Sequence, residues 1–251
     1  MHGCTSLVKI PQLPDSLEEM TGTFEKCTSL IEVNNIPDNV INMESLFEDC
    51  TSLKSISNIP NSALNMKNTF RNCKSIIAMP TLPDGVEDLS YTFAGCTALK
   101  EMPVIPQSVQ DMEYTFMDCS SLTEMKSIPE NITNLEGTFS GCTNLVKTSK
   151  IPESIINMNS TFENCLYLQT APKIPSNVLY INRTFYGCVN LSGELIIDAN
   201  PVATEGNSGY DDCLQGVAVR SNLVLSGKSN KLQEIYLTKH EISNITLKIE
   251  E

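Results

Sequence analysis

Apolar and polar positions in this chain follow a rhythm that belongs to neither a helix nor a strand alone. Apolar residues return every three or four positions, and the complete pattern returns after 23. Cysteine marks the period, at Cys4, Cys27, Cys50, Cys73, Cys96, Cys119, Cys142, Cys165 and Cys188, while Cys213 follows after 25. Each phenylalanine stands three residues before one of these cysteines: Phe24, Phe47, Phe70, Phe93, Phe116, Phe139, Phe162 and Phe185. Further columns carry Leu (Leu7, Leu30, Leu53 and onward), Pro (Pro14, Pro37, Pro60 and onward) and Met or Leu (Met20, Met43, Met66, Leu89 and onward). Thr precedes Phe in every unit but one, where Leu46 stands.

A long helix cannot carry this pattern, because an interior proline costs about 3 kcal/mol. Nor can 23 residues bury a core of their own. The consistent solution is a repeat solenoid, each unit one coil stacked on the next, with equal columns forming ladders along a shared interior. At roughly 4.8 Å per coil, eight intervals give a rod about 40 Å long. A short parallel strand is expected around the second aliphatic column, for example Lys54–Ser57, with the Thr-Phe-x-x-Cys half in irregular or short helical turns.

The unit C-x-x-L-x-x-I, then Pro, then an aliphatic pair, then Phe three residues before the next Cys, resembles the leucine-rich repeats of BspA-like bacterial surface proteins. The resemblance covers residues 1–192. One departure is the pair of residues between the second and third aliphatic columns ("LKSISNIP"), where leucine-rich repeats often have one. The resemblance implies a leucine-rich repeat fold with 23-residue coils, an extracellular or cell-surface location, and a role in attachment to host matrix or other cells.

Four chemistries compete for the cysteine ladder. Zinc needs clustered pairs such as C-x-x-C, and none is present. A nucleophile needs a base, and His2 and His240 are the only histidines. Disulfides within the ladder would need Cβ atoms near 3.8 Å, whereas stacked equivalent residues stay about 4.8 Å apart. Buried thiols filling a tight corner are the favoured reading. Phe116, in the neighbouring ladder, is expected to lose about 3–5 kcal/mol on replacement by Ala. The threonine hydroxyls are expected to bond backbone groups left unpaired at each corner. The methionines read as core filling rather than a cofactor box, and no cofactor or metal is expected.

Charge narrows the partners. With 17 Lys+Arg against 30 Asp+Glu, the net charge of −13 argues against nucleic acid, whose phosphates call for a basic face. No apolar run approaches 18 residues, so no membrane span is expected. The acidic pairs Glu18–Glu19, Glu87–Asp88 and Asp211–Asp212 read as solvated surface.

Positions that vary between the fixed columns are where recognition can be written. One set flanking the expected strand contains Lys9, Glu32, Ser55, Glu101, Glu124, Lys147 and Thr170. A second contains Asn34, Ser57, Lys126 and Ser149, with Pro at several coils. These form the candidate binding face, for a protein or a glycan. The leading expectation is a non-enzymatic adhesion or interaction module at a bacterial surface. The alternatives are a structural or receptor-binding component of a phage or prophage particle, and an enzyme whose only nominees are Asp211, Asp212, Cys213 and His240.

Met1 falls in the Phe column, so the chain begins inside a repeat, and the start carries no signal peptide. A fragment of a longer protein is the expectation. After Cys188 the pattern loosens. Residues 193–251 are expected to form a stretched last unit, with Tyr210 in the aromatic column and Cys213 in the thiol column, followed by an α+β cap. That cap would contain a strand in "VAVRSNLVLSG", a helix starting at Ser229 or Asn230, and a final strand in "ISNITLKIEE".

Overall fold

A computed structural model describes residues 1–203, 209–217, 223–227 and 245–248. The coils stack in parallel along two ladders. On one side Lys9 bridges Glu32, β1 (Glu32–Val33) pairs in parallel with β2 (Ser55–Ile56), and Glu124 bridges Lys147. The strand lies where the alternation places it, with Ile56 inward and Ser55 outward. The second ladder runs through Glu19, Asn42, Asn65, Asp88 and Asp111, and resumes through Asn134, Asn157 and Tyr180.

The Thr-Phe-x-x-Cys half is neither strand nor helix. Cys50 N–H donates back to Phe47 within its own coil (3.0 Å), while Phe47 N–H reaches forward to Thr69 of the next (2.9 Å). Alternating inward and onward bonds satisfies donors that a buried corner would otherwise strand. The alternation requires left-handed backbone twice per coil. One such column immediately precedes Cys (Lys26, Asp49, Asn72, Gly95, Asp118, Gly141); the other includes Ser45, Asn68, Tyr91, Tyr114 and Gly137. Gly, Asn and Asp tolerate that region best, which explains their frequency before the cysteines.

The core is the set of ladders. All eight phenylalanine rings are fully buried and stack on their neighbours at 5.4–5.9 Å with interplanar angles of 6–15°. Cysteines from Cys27 to Cys188 are buried beside them, and Cys4 in the first coil is exposed. Hydroxyls complete the corner as expected: Thr69, Thr92, Thr115, Thr138, Thr161 and Thr184 each donate to the Met-column carbonyl of the preceding coil at 2.8–2.9 Å.

The last coil corrects the register. Phe162 N–H donates to Thr184, and Phe185 N–H donates to Cys213, so Cys213 occupies the threonine column and not the thiol column. Leu214 therefore follows Phe185 in the aromatic ladder, Val217 takes the cysteine place, and Tyr210 sits in the methionine column, not the aromatic one. The chain accommodates six more residues in this coil than in the others. The sequence offered a cysteine at nearly the right distance, but packing selects a Leu for the space under Phe185. Within this coil β3 (Gly193–Ile196) continues the strand side, and it forms a parallel sheet with β4 (Leu223–Ser226) and β5 (Ile245–Leu247) in the order β3-β4-β5. The strands β4 and β5 fall in the two segments expected to be extended. The expected helix at Ser229 or Asn230, and His240, lie outside the described residues.

Candidate interaction surface

Side chains at the strand ladder leave the coil because their neighbours are committed inward. Leu53 and Ile56 are buried, so Lys54 and Ser55 between them face solvent. Of the first candidate set, Lys9, Ser55, Glu101, Glu124, Lys147 and Thr170 are exposed. Glu32 is half-buried and accepts from Lys9 Nζ at 2.8 Å. Each shifts the other: the hydrogen bond and charge of Glu32 raise the Lys9 ammonium, and Lys9 lowers the Glu32 carboxyl.

The second set is partly used by the stack itself. Ser57 Oγ donates to the Asn34 carbonyl (2.9 Å) and Ser149 Oγ to that of Lys126 (2.8 Å). Asn34 and Lys126 are exposed. Pro172, at the same place in its coil, is buried. Variation in this set therefore reflects packing as well as exposure.

Among the described residues, shallow grooves open on the strand side. One of about 430 Å³ lies between Val8, Ile31 and Lys54 on one flank and Ser29, Ser52 and Ser75 on the other. Another of about 410 Å³ is lined by Lys100, Glu101, Ser121, Thr123 and Asn144. A third, about 330 Å³, is bounded by Lys9, Pro11, Glu32 and Asn34. Serine stands two residues after five of the cysteines, a recurrence visible in the sequence at Ser29, Ser52, Ser75 and Ser121 but outside both candidate sets.

With the columns placed, charge separates by side. Between the cysteine and proline columns stand Lys9, Lys54, Lys74, Lys100, Lys126, Lys147, Lys150 and Lys173, against Glu32, Glu101 and Glu124. Between the proline column and the next cysteine the only cations of residues 1–192 are Lys26, Lys67, Arg71 and Arg183, against 18 carboxylates. A strongly acidic chain thus presents a net basic strand side.

The acidic side holds its own order. Asp88 belongs to the second ladder, where it is half-buried and accepts from the Ser90 N–H at 2.7 Å, so the reading of Glu87–Asp88 as a solvated pair holds only for Glu87. Asn65, Asp111, Asn134 and Asn157 accept from the residue two further on in the same way. These short side chains cap the backbone of the second ladder. Asp212 faces Arg183 at 3.6 Å, and Arg183 also grips Glu163 and lies 3.7 Å over the Tyr186 ring. Burial and the nearby Asp111 and Glu136 raise the Glu113 carboxyl.

The ten cysteines are free thiols; from Cys50 to Cys188 each Sγ donates to the phenylalanine carbonyl one coil back, as Cys96 does to Phe70 at 3.1 Å, and Cys27 donates to Met1, which holds the phenylalanine place in the first coil. Burial pushes the Cys50 and Cys96 thiols up to about 12, which disfavours the thiolate needed for nucleophilic or metal chemistry. Among the described residues, no three His, Cys, Asp or Glu side chains converge to hold a metal, and no helix is long and apolar enough to cross a membrane.

Stacked 23-residue coils with a parallel strand ladder, an aliphatic-aromatic core and a variable exposed face define a leucine-rich repeat protein. The model of the BspA type leucine rich repeat region (6 copies) matches residues 1–100 and 66–192, and the chain belongs to that family. The fold is similar to that of the leucine rich repeat protein of T. pallidum, 29% identical, over 64% of this chain and 76% of that one, with a TM-score of 0.54. It is also similar to a leucine-rich repeat protein from Eubacterium ventriosum ATCC 27560, 23% identical, with a TM-score of 0.55. That match covers 72% of this chain and only 48% of the other. A leucine rich cell surface protein from Faecalibacterium prausnitzii A2-165 is 22% identical over 75% of this chain and 64% of that one, with a TM-score of 0.43. Among curated proteins, none matches the chain.

Proposed function

We propose that this protein is a non-enzymatic binding module acting at a bacterial cell surface, with residues 1–192 as the binding rod and 193–251 closing its end. The observation that carries the reading is the exposed strand side, where side chains change from coil to coil on a core that does not. Family membership supports it, since BspA-like members are associated with attachment. Binding would place a protein or glycan along Lys9, Ser55, Glu101, Glu124, Lys126 and Lys147.

The test is a defined array of purified matrix proteins and glycans. Binding should weaken at least tenfold when Glu101, Glu124, Lys126 and Lys147 are charge-reversed together. It should persist when Glu44, Glu113 and Lys67 on the opposite side are reversed. Loss of binding with the second set and not the first would place the surface elsewhere. On intact cells of the source, protease should reach the protein; full protection would remove the surface location.

A further inference from the structure

Six lysines distinguish the strand side from the rest of this acidic molecule: Lys54, Lys74, Lys100, Lys126, Lys147 and Lys150. They come from five successive coils, so every coil from Cys50 to Cys142 contributes at least one. All six are exposed, and none has an ion partner among the described residues, whereas Lys9 and Lys173 at either end are paired with Glu32 and Asp198. The six do not share one column: they stand one to eight residues after their cysteines, so each coil's rise of roughly 4.8 Å is combined with a lateral offset and they form a staggered row. With Glu101 and Glu124 standing among them, the six lysines leave this face with a net positive strip. Its length follows the rod axis.

The geometry points to a linear acidic polysaccharide, bearing carboxylate or sulfate groups, as the ligand of this strip, which rests on the strand side being the binding surface. A polymer with regularly spaced anions matches a cation in each coil. Between the lysines, Ser52, Ser75, Ser121, Thr123 and Asn144 line the grooves with hydroxyl and amide groups, which can donate to and accept from sugar hydroxyls. The opposite side, with its 18 carboxylates, repels the same polymer and confines it to one face.

Nucleic acid fits less well. The strip contains no arginine, the residue suited to bidentate phosphate contact. It also lacks the aromatic platforms on which bases stack: Tyr167, the exposed aromatic of this side, lies beyond the row of six. A duplex carries one charge per about 1.7 Å, far denser than one lysine per coil.

Titration of the full chain with polygalacturonate and with heparin tests the carboxylate and sulfate forms. Dextran, poly(dT) and phosphatidylserine vesicles serve as the other arms. At least one acidic polysaccharide should bind, with affinity falling as salt rises. The combined Lys100→Glu, Lys126→Glu and Lys147→Glu variant should lose at least tenfold. The milder Lys→Gln triple should lose severalfold, which keeps the test open if the first fails to fold. Lys26→Glu with Lys67→Glu should change nothing. No binding to either acidic polymer, equal binding to dextran, or tighter binding to poly(dT) or vesicles overturns the inference. If acidic polysaccharides fail while an array partner still depends on Lys126 and Lys147, the ligand class falls and the binding surface stands.

Discussion

At the scale of single residues, the cysteine ladder shows how one side chain serves packing and hydrogen bonding together. A thiol is small enough for the corner beside each phenylalanine, and its proton satisfies a carbonyl of the coil before. Keeping that proton has a consequence at alkaline pH. Burial raises Cys73, Cys96, Cys119, Cys142 and Cys165, Cys96 to about 12, against an ordinary value of 9.0. Above pH 9 the unfolded chain releases these protons while the folded one retains them. The folded state then binds more protons, so stability falls as pH rises. The limiting slope is about 1.4 kcal/mol per thiol per pH unit. In urea titrations under reducing conditions, the midpoint should be lower at pH 10 than at pH 8. Burial raises Tyr91 and Tyr114 too, and they act in the same direction. The share of one thiol is isolated by Cys96→Ala, which should make the pH dependence shallower by that thiol's part while lowering stability at pH 8. An unchanged pH slope in that variant would remove the thiol from the explanation.

At the scale of the coil, two left-handed columns let the backbone turn a corner and still bond to its neighbour. Tyr114 occupies one of them (φ 50°) and lies 4.9 Å from Tyr91 in a stacked pair. On its other side the ring covers Gly137, where an added Cβ would overlap it. Gly137 is itself left-handed (φ 57°), so Gly137→Ala adds backbone strain to a clash. A loss of about 1–3 kcal/mol is expected. In a Tyr114→Gly background the clash is gone, and the cost should shrink to the backbone part, leaving a coupling of at least about 0.5 kcal/mol. Equal costs in both backgrounds would mean that the ring plays no part.

This element scale is also where sequence and structure part company. Phe, Cys, Leu and Thr were legible because a ladder residue must recur, and recurrence can be counted. The strand at Ser55–Ile56 followed from the apolar residues on either side. The Asn/Asp ladder at Asn42, Asn65, Asp88 and Asp111 was also written as a column, yet its role is a backbone contact that hydropathy does not register. The register of the last coil depends on which side chain fills the space beneath Phe185, and a count of residues between cysteines cannot reveal an insertion that a loop absorbs. The strand-side face was chosen from variability alone. Its serine-lined grooves and lysine row emerge only when the coils are stacked and each column acquires a side.

At the scale of the whole molecule, every described coil of the rod depends on its two neighbours and on little else. The stacked phenylalanines, the Thr-to-carbonyl bonds and the two backbone ladders all link consecutive units. Such a chain has stability that sums over coils and their interfaces. Removing one complete period should then shorten the rod without disturbing its register. Excision of residues 97–119 joins Cys96 to Ser120 and lets Phe93 stack on Phe139 as it now stacks on Phe116. The shortened protein should fold cooperatively, with a urea m-value reduced in proportion to the surface lost. Its strip loses Lys100 and keeps Lys54, Lys74, Lys126, Lys147 and Lys150 in consecutive coils, so acidic-polymer binding should weaken without vanishing. Excision of residues 97–110 removes part of a period and shifts every following column against its partner. That variant should fail to fold cooperatively. Equal stability of the two deletions would show that the ladders do not determine the fold.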